Sequence, residues 1–243
     1  MDKQKSERLD KILAQSGFGS RKDVKKIIKQ GWVSVNGELV KNAATQIYPY
    51  DDTLKVWGNI VEFKKYIYIM LNKPSGVLSA TRDGLTTTVI DLLEGEFSHR
   101  KLFPVGRLDK DTKGLILLTD DGKLAHRLLS PKYRVDKLYY VEVEGKLDED
   151  DIDAFETGIE LDDFTTLPAK LDIIEADDIS RAFVTICEGK FHQVKRMMKA
   201  QGKEVVYLER LSLGPLCLDE TLEPGEWREL TEEETQLLLN FQQ

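Results

Sequence analysis

Asp109 and Asp111 stand in a polar run, Gly106-Arg107-Leu108-Asp109-Lys110-Asp111-Thr112-Lys113, that feeds the apolar segment Gly114-Leu115-Ile116-Leu117-Leu118. A carboxylate in such a loop can act as nucleophile, general base or electrostatic partner, provided its surroundings keep it ionised. On residue type alone it can equally be a turn former or a helix cap. There is no Gly-x-x-x-x-Gly-Lys phosphate loop, no Gly-x-Gly-x-x-Gly fingerprint after a strand and no Gly-x-Ser-x-Gly elbow. Nucleotide cofactors and serine-hydrolase chemistry therefore lack their signatures. His99, His126 and His192 are scattered at spacings that suit no zinc-binding helix, and Cys187 and Cys217 are too far apart for a Cys-x-x-Cys site. These patterns predict no metal and two buried, reduced thiols.

Two groups of cations could meet a polyanion. On a helix running from His192, the side chains His192, Lys195, Arg196 and Lys199 share one side, and Val194, Met197 and Met198 share the other, where methionines serve as core filler. Lys190 precedes this group, and Glu188-Gly189 turns into it from the strand Phe183–Ile186, a placement that can face a cleft. Nearer the N-terminus, Ser20 and Asp23 open a second helix that Gly31 ends. On it Arg21, Lys22, Lys25, Lys26 and Lys29 lie opposite Val24, Ile27 and Ile28. Read alone, that face is simply solvated.

The elements that must position these groups follow from the pattern of the chain. A helix over Leu9, Ile12 and Leu13, a hairpin about Asn36-Gly37 and a strand at Leu54–Val56 complete a basic N-terminal portion. Residues 1–60 carry 11 Lys and Arg against 7 Asp and Glu, although the whole chain of 243 residues has a net charge of −8. Nucleic-acid binding needs a local basic surface rather than a basic whole. Acid is concentrated at Asp148–Asp163 and Asp219–Glu234, which are expected to face solvent away from phosphates. After a linker at 59–65, strands are predicted at Tyr66–Leu71, Leu115–Leu118, Leu138–Val143, Leu171–Ile174, Ala182–Ile186 and Val205–Leu208. Helices are predicted at Leu124–Leu129, about Asp151–Glu156, at His192–Gln201 and at Glu232–Asn240. Strands and helices mix without βαβ alternation, which predicts an α+β fold with a mixed, largely antiparallel sheet and flanking helices. With 41% hydrophobic and 32% charged residues the composition is that of a globular protein, and no apolar run reaches the about 20 residues of a membrane span. Met1-Asp2-Lys3-Gln4-Lys5 lacks a signal-peptide pattern, so a cytoplasmic location is expected.

Arg8-Leu9-Asp10-Lys11-Ile12-Leu13, Ser20-Arg21, the lysine-rich helix and Gly31-Trp32-Val33-Ser34-Val35-Asn36-Gly37 together resemble the αL RNA-binding module, a domain like that of ribosomal protein S four. Four further segments resemble the RsuA-type pseudouridine synthases. They are Leu71-Asn72-Lys73-Pro74-Ser75-Gly76-Val77, Gly106-Arg107-Leu108-Asp109 with Thr112 and Gly114–Gly122, Lys137-x-Tyr139-x-Val141, and Glu188-Gly189-Lys190-Phe191-His192-Gln193-Val194-Lys195-Arg196-Met197. The resemblance implies an RNA-binding domain at 1–58 and a pseudouridine synthase domain at 66–243.

It further implies isomerisation of one uridine in ribosomal RNA without a cofactor, with Asp109 essential, Tyr139 stacked on the uracil and Lys195 as the cation that keeps Asp109 charged. Many relatives carry Arg where Lys195 stands; Lys supplies the charge without the planar fork that bidentate pairing uses, and Arg196 is the reserve partner. Tyr140 points to the opposite face of its strand. Arg107 would fill the gap left by an extracted base or hold a phosphate. Arg8, Arg21, Lys22, Lys25, Lys26, Lys29, Lys190, His192, Arg196 and Lys199 would contact RNA. The motif at 188–197, with Gly225–Leu230, is closer to the small-subunit, 16S-directed branch than to enzymes acting on 23S rRNA. A ribosome-assembly protein with an inactive synthase-like domain is the reading from another class. The implied partner is ribosomal RNA, naked or in an assembling particle, bound by a monomer with no membrane contact.

Overall fold

The structure, a computed structural model, describes residues 6–241. The outermost residues of the two predicted domains, 1–5 and 242–243, lie outside that range. Contacts divide the chain into two units, one running to Tyr66 and including Glu96–Lys101, the other comprising Ile67–Gly95 and the residues from Leu102 onward. Contiguous domain ranges did not anticipate that the segment at 96–101 clusters with the N-terminal unit.

In the N-terminal unit β1 (Glu7–Arg8) leads into α1 (Leu9–Gln15), followed by α2 (Arg21–Lys29), β2 (Val33–Val35), β3 (Glu38–Leu39), β4 (Gln46–Ile47), β5 (Leu54–Val56) and β6 (Asn59–Ile60). The order β3-β2-β5-β6 makes one small sheet, and β1 pairs with β4. Leu9, Ile12 and Leu13 of α1 meet Val24 and Ile28 of α2, together with Val33, Ile47, Leu54 and Val56, in one core. The apolar faces read from helical spacing are the ones buried. Ser20 caps α2 by accepting a hydrogen bond from the Asp23 amide, 3.3 Å away.

The second unit is built on one sheet of nine strands. Its strands are β7 (Tyr68–Lys73), β8 (Phe103–Pro104), β9 (Lys113–Thr119), β10 (Lys137–Glu144), β11 (Lys170–Glu175), β12 (Ile179–Ile186), β13 (Glu204–Leu213), β14 (Leu216–Cys217) and β15 (Trp227–Glu229). The order is β11-β12-β10-β13-β9-β7-β15, with β14 paired to β13 and β8 to β9. Neighbours are antiparallel except β9 and β13, which meet in parallel through Glu209↔Lys113 and Arg210↔Gly114. The helices are α3 (Gly122–Leu129), α4 (Glu149–Thr157), α5 (Gln193–Ala200) and α6 (Glu232–Asn240). No helix among the described residues is long and apolar enough to cross a membrane.

The α+β architecture and the largely antiparallel sheet match the sequence reading; several details differ. The first strand runs Tyr68–Lys73 rather than 66–71, and all six of its residues are buried. Lys73, the apparent start of a turn, belongs to the strand. Cys187 is half-buried and Cys217 exposed, so the expectation of two buried thiols fails. The reason is alternation: Leu216 of the two-residue β14 points inward and Cys217 outward. Nor do all the acids face open solvent, since Asp151 is buried in the capping box of α4, 3.3 Å from Lys203.

Candidate active site

The loop between β8 and β9 carries Asp109, and its backbone is held at successive points. Lys73 at the end of β7 has no exposed surface, and its Nζ donates to the carbonyls of Pro74 (3.0 Å), Lys110 (3.1 Å) and Thr112 (2.8 Å). Ser79 Oγ accepts from the Leu108 amide at 3.0 Å and donates to its carbonyl at 2.9 Å. The Gly76 amide donates to Lys110 O at 2.8 Å. With the chain fixed on both sides, the Asp109 side chain keeps 24% of its surface exposed and lines an open cleft. Arg107, Thr112, Tyr139, Lys190 and His192 also line that cleft.

Two nitrogens approach the carboxylate. Lys195 Nζ lies 3.5 Å from Asp109 Oδ2, and His192 Nε2 lies 3.4 Å from Oδ1. Lys195 makes its shorter contacts with Asp111, at 2.6 and 2.8 Å, and that hydrogen bond holds the Asp111 carboxyl below its ordinary range. The lysine therefore bridges two carboxylates instead of serving Asp109 alone. Lys73 adds a second ammonium group near them. Burial pushes it down to about 8, against the opposing pull of Asp111 and Asp109.

Tyr139 is buried in β10 opposite Val184 of β12 and lines the cleft. Tyr140 points the other way, donates to Glu142 at 2.8 Å and meets Phe183 and Tyr207 edge-on, as alternation requires. Beside Tyr139, Lys137 is buried with its Nζ donating to Val135 O at 2.6 Å, and burial lowers it to about 8.

The basic helix does not present one face. His192 is the residue before α5, in a left-handed conformation (φ 50°, ψ 33°), and turns toward Asp109 with Lys195. Arg196, the reserve partner, pairs instead with Asp163 and lies over the Phe164 ring at 5.3 Å. Asp163 is exposed, as expected of its acidic stretch, and stands beside the basic helix. Lys190 stands over the same ring at 5.6 Å, and Lys199 is exposed near the end of α5. Met197 and Met198 are fully buried, as core filler should be.

In the N-terminal unit all five cations of α2 are exposed. Arg21 and Arg8 both pair with Asp10, at 2.7 and 2.9 Å. The hydrogen bond from Arg8, followed by that from Arg21, holds the buried Asp10 carboxyl well below the usual carboxylate range. Lys26 pairs with Asp23 at 3.4 Å, whereas Lys22, Lys25 and Lys29 make no ion pair among the described residues.

Two features escaped the sequence reading: the three-carbonyl clamp of Lys73 and the hold of Asp111 on Lys195. The available signal was a lysine directly after the apolar run Tyr68–Leu71 and Asn72, and a second aspartate two residues after the first.

Comparison with known proteins identifies the family of both units. Residues 67–200 match the family model described as RNA pseudouridylate synthase, and residues 7–51 match the S4 domain. The chain is 51% identical over 233 residues to an uncharacterized RNA pseudouridine synthase of Bacillus subtilis, covering 95% of this chain and 98% of that one. It is 41% identical over 230 residues to the ribosomal small subunit pseudouridine synthase A of Vibrio vulnificus, covering 93% and 97%. A crystal structure of a pseudouridylate synthase, 40% identical, superposes with a TM-score of 0.66 over 95% of this chain and 99% of that one.

Proposed function

Since the chain belongs to the RNA pseudouridylate synthase family and carries an S4 domain ahead of the synthase domain, we propose that it isomerises a uridine of 16S ribosomal RNA, with Asp109 as the essential group. The observation that carries this reading is the placement of Asp109, on a clamped loop, in one cleft with Tyr139 and beside Lys195 and His192. The reaction breaks the bond between uracil N1 and ribose C1′, turns the base and joins its C5 to C1′. Uracil is a poor leaving group, and a carboxylate beside the bond divides one difficult step into two easier ones. Substrate and product are isomers, so no net oxidation or group donor is called for.

Lys195 keeps positive charge near a carboxylate that must stay ionised, His192 Nε2 stands 3.4 Å from the same carboxylate, and Tyr139 offers a flat wall for the extracted base. Arg107, exposed at the cleft, would occupy the place the base leaves. The exposed cations of α2, with Arg8, Lys190 and Lys199, would bind phosphates. We expect Asp109→Asn to form no pseudouridine while binding RNA nearly as well as the unmodified protein. Appreciable turnover by that variant overturns the assignment, and full biological activity without turnover supports an assembly role instead.

The choice of 16S rests on the relatives named ribosomal small subunit pseudouridine synthase A and on the motif at 188–197. Mapping pseudouridine by chemical adduct and primer extension in cells lacking the protein tests it. A site should vanish from 16S with 23S intact, and the reverse pattern moves the target to the large subunit.

A further inference from the structure

We propose that Phe191 stacks on a nucleobase of the RNA adjacent to the extracted uridine; this rests on the synthase reading and names the residue that holds the opened strand. Phe191 is 76% exposed, and among the described residues of the catalytic unit it is the one large aromatic left in solvent. Such exposure of an apolar ring is unfavourable unless a partner covers it.

The ring is not loosely tethered. Gln193 is buried, accepts from the Lys190 amide at 3.0 Å and donates to Glu188 at 2.9 Å, while Glu188 accepts from the Leu167 amide at 2.9 Å. These bonds brace the loop on both sides of Phe191. One face of the ring lies on the His192 imidazole, with centroids 3.8 Å apart and planes 18° from parallel. His192 holds that position in the left-handed backbone region, which few residues with a side chain adopt. The chain neighbours of Phe191, Lys190 and His192, both line the cleft that contains Asp109. A flat apolar surface is thus fixed at the mouth of the cleft, flanked by a cation suited to phosphate.

Extracting a uridine breaks its stacking and leaves a neighbouring base unstacked. Stacking on an aromatic side chain compensates and tolerates any base, because every base has a π-face. A base seated on Phe191 would complete a stack of base, phenyl and imidazole, and steady His192 beside Asp109.

The test compares Phe191→Ala, Phe191→Leu, Phe191→Tyr and Phe191→Trp. Each is returned to cells lacking the protein, where pseudouridine is mapped, and each is assayed with ribosomal RNA purified from those cells. Alanine and leucine should lower kcat about tenfold or more, with the melting temperature unchanged, and the two aromatic variants should stay within about twofold of the parent. Leucine as active as phenylalanine, or tyrosine and tryptophan as impaired as alanine, overturns the stacking role while leaving the synthase reading intact. If the unaltered protein restores no pseudouridine to these cells, the synthase reading fails and this inference with it.

Discussion

A lysine with no exposed surface supplies the least expected chemistry of the site. The ammonium of Lys73 has three N–H groups and satisfies three carbonyls of the loops around Asp109. Lys73→Met removes all three donors and leaves Lys110 O with the Gly76 amide alone, so we expect a loss of about 1–3 kcal/mol in denaturant unfolding, together with a fall in kcat as the Asp109 loop loosens. The same residue sets a pH response. In the folded chain it releases its proton near pH 8, against 10.5 ordinarily. Between those values the unfolded chain binds more protons, so this group makes folding stability rise with pH. Activity should move the opposite way, falling as pH passes about 8, because the neutral amine has one N–H fewer. A pH–rate profile whose basic limb is unaffected in Lys73→Met contradicts this. The sequence displayed Asp109, Tyr139 and the cations but not Lys73, since a lysine next to Pro74 reads as the start of a turn. Its burial is decided by loops that close over it from residues 110 and 112.

Among the elements, β9 has the most constrained position. Gly114 sits at φ +94°, and a Cβ there would lie 2.3 Å from Arg210 O and 2.8 Å from Arg210 N. Gly114→Ala must therefore push β9 from β13 as well as strain its own backbone, at a cost of about 3 kcal/mol or more. Thermal or denaturant unfolding will measure it, and a stability loss under about 1 kcal/mol rejects the close approach. Most strands and all six α-helices of the described residues were legible from apolar periodicity and capping residues, because those signals are local. The end of β7 and the start of α5 were less so. Lys73 enters the strand through contacts with distant loops, and His192 leaves the helix to meet Asp109, a pairing no helical wheel can anticipate. Cys217 was misread because thiols are usually buried, whereas its place in a two-residue strand points it outward.

At the scale of the whole molecule, a net charge of −8 coexists with a small unit whose second helix carries five exposed cations. If Lys22, Lys25 and Lys29 bind phosphates, replacing all three by Glu should weaken RNA binding and flatten its dependence on salt, by up to about 0.9 in the logarithmic slope per lost contact. A slope equal to that of the parent would show that this face touches no RNA. The large sheet joins two antiparallel halves through the short β9–β13 pairing, and the site draws Asp109 from one half and Tyr139 from the other. One edge of β7 is covered only by β15, and Asn72 reaches Leu222 O across 150 residues of chain. During synthesis, then, the Tyr68-Ile69-Met70-Leu71 segment leaves the ribosome with a bare flank that stays open until residue 229 has emerged. Over that interval it is a template for the same segment on the next nascent chain of the polysome, so premature termination just ahead of Trp227 would yield a self-adhesive product rather than a weakened enzyme.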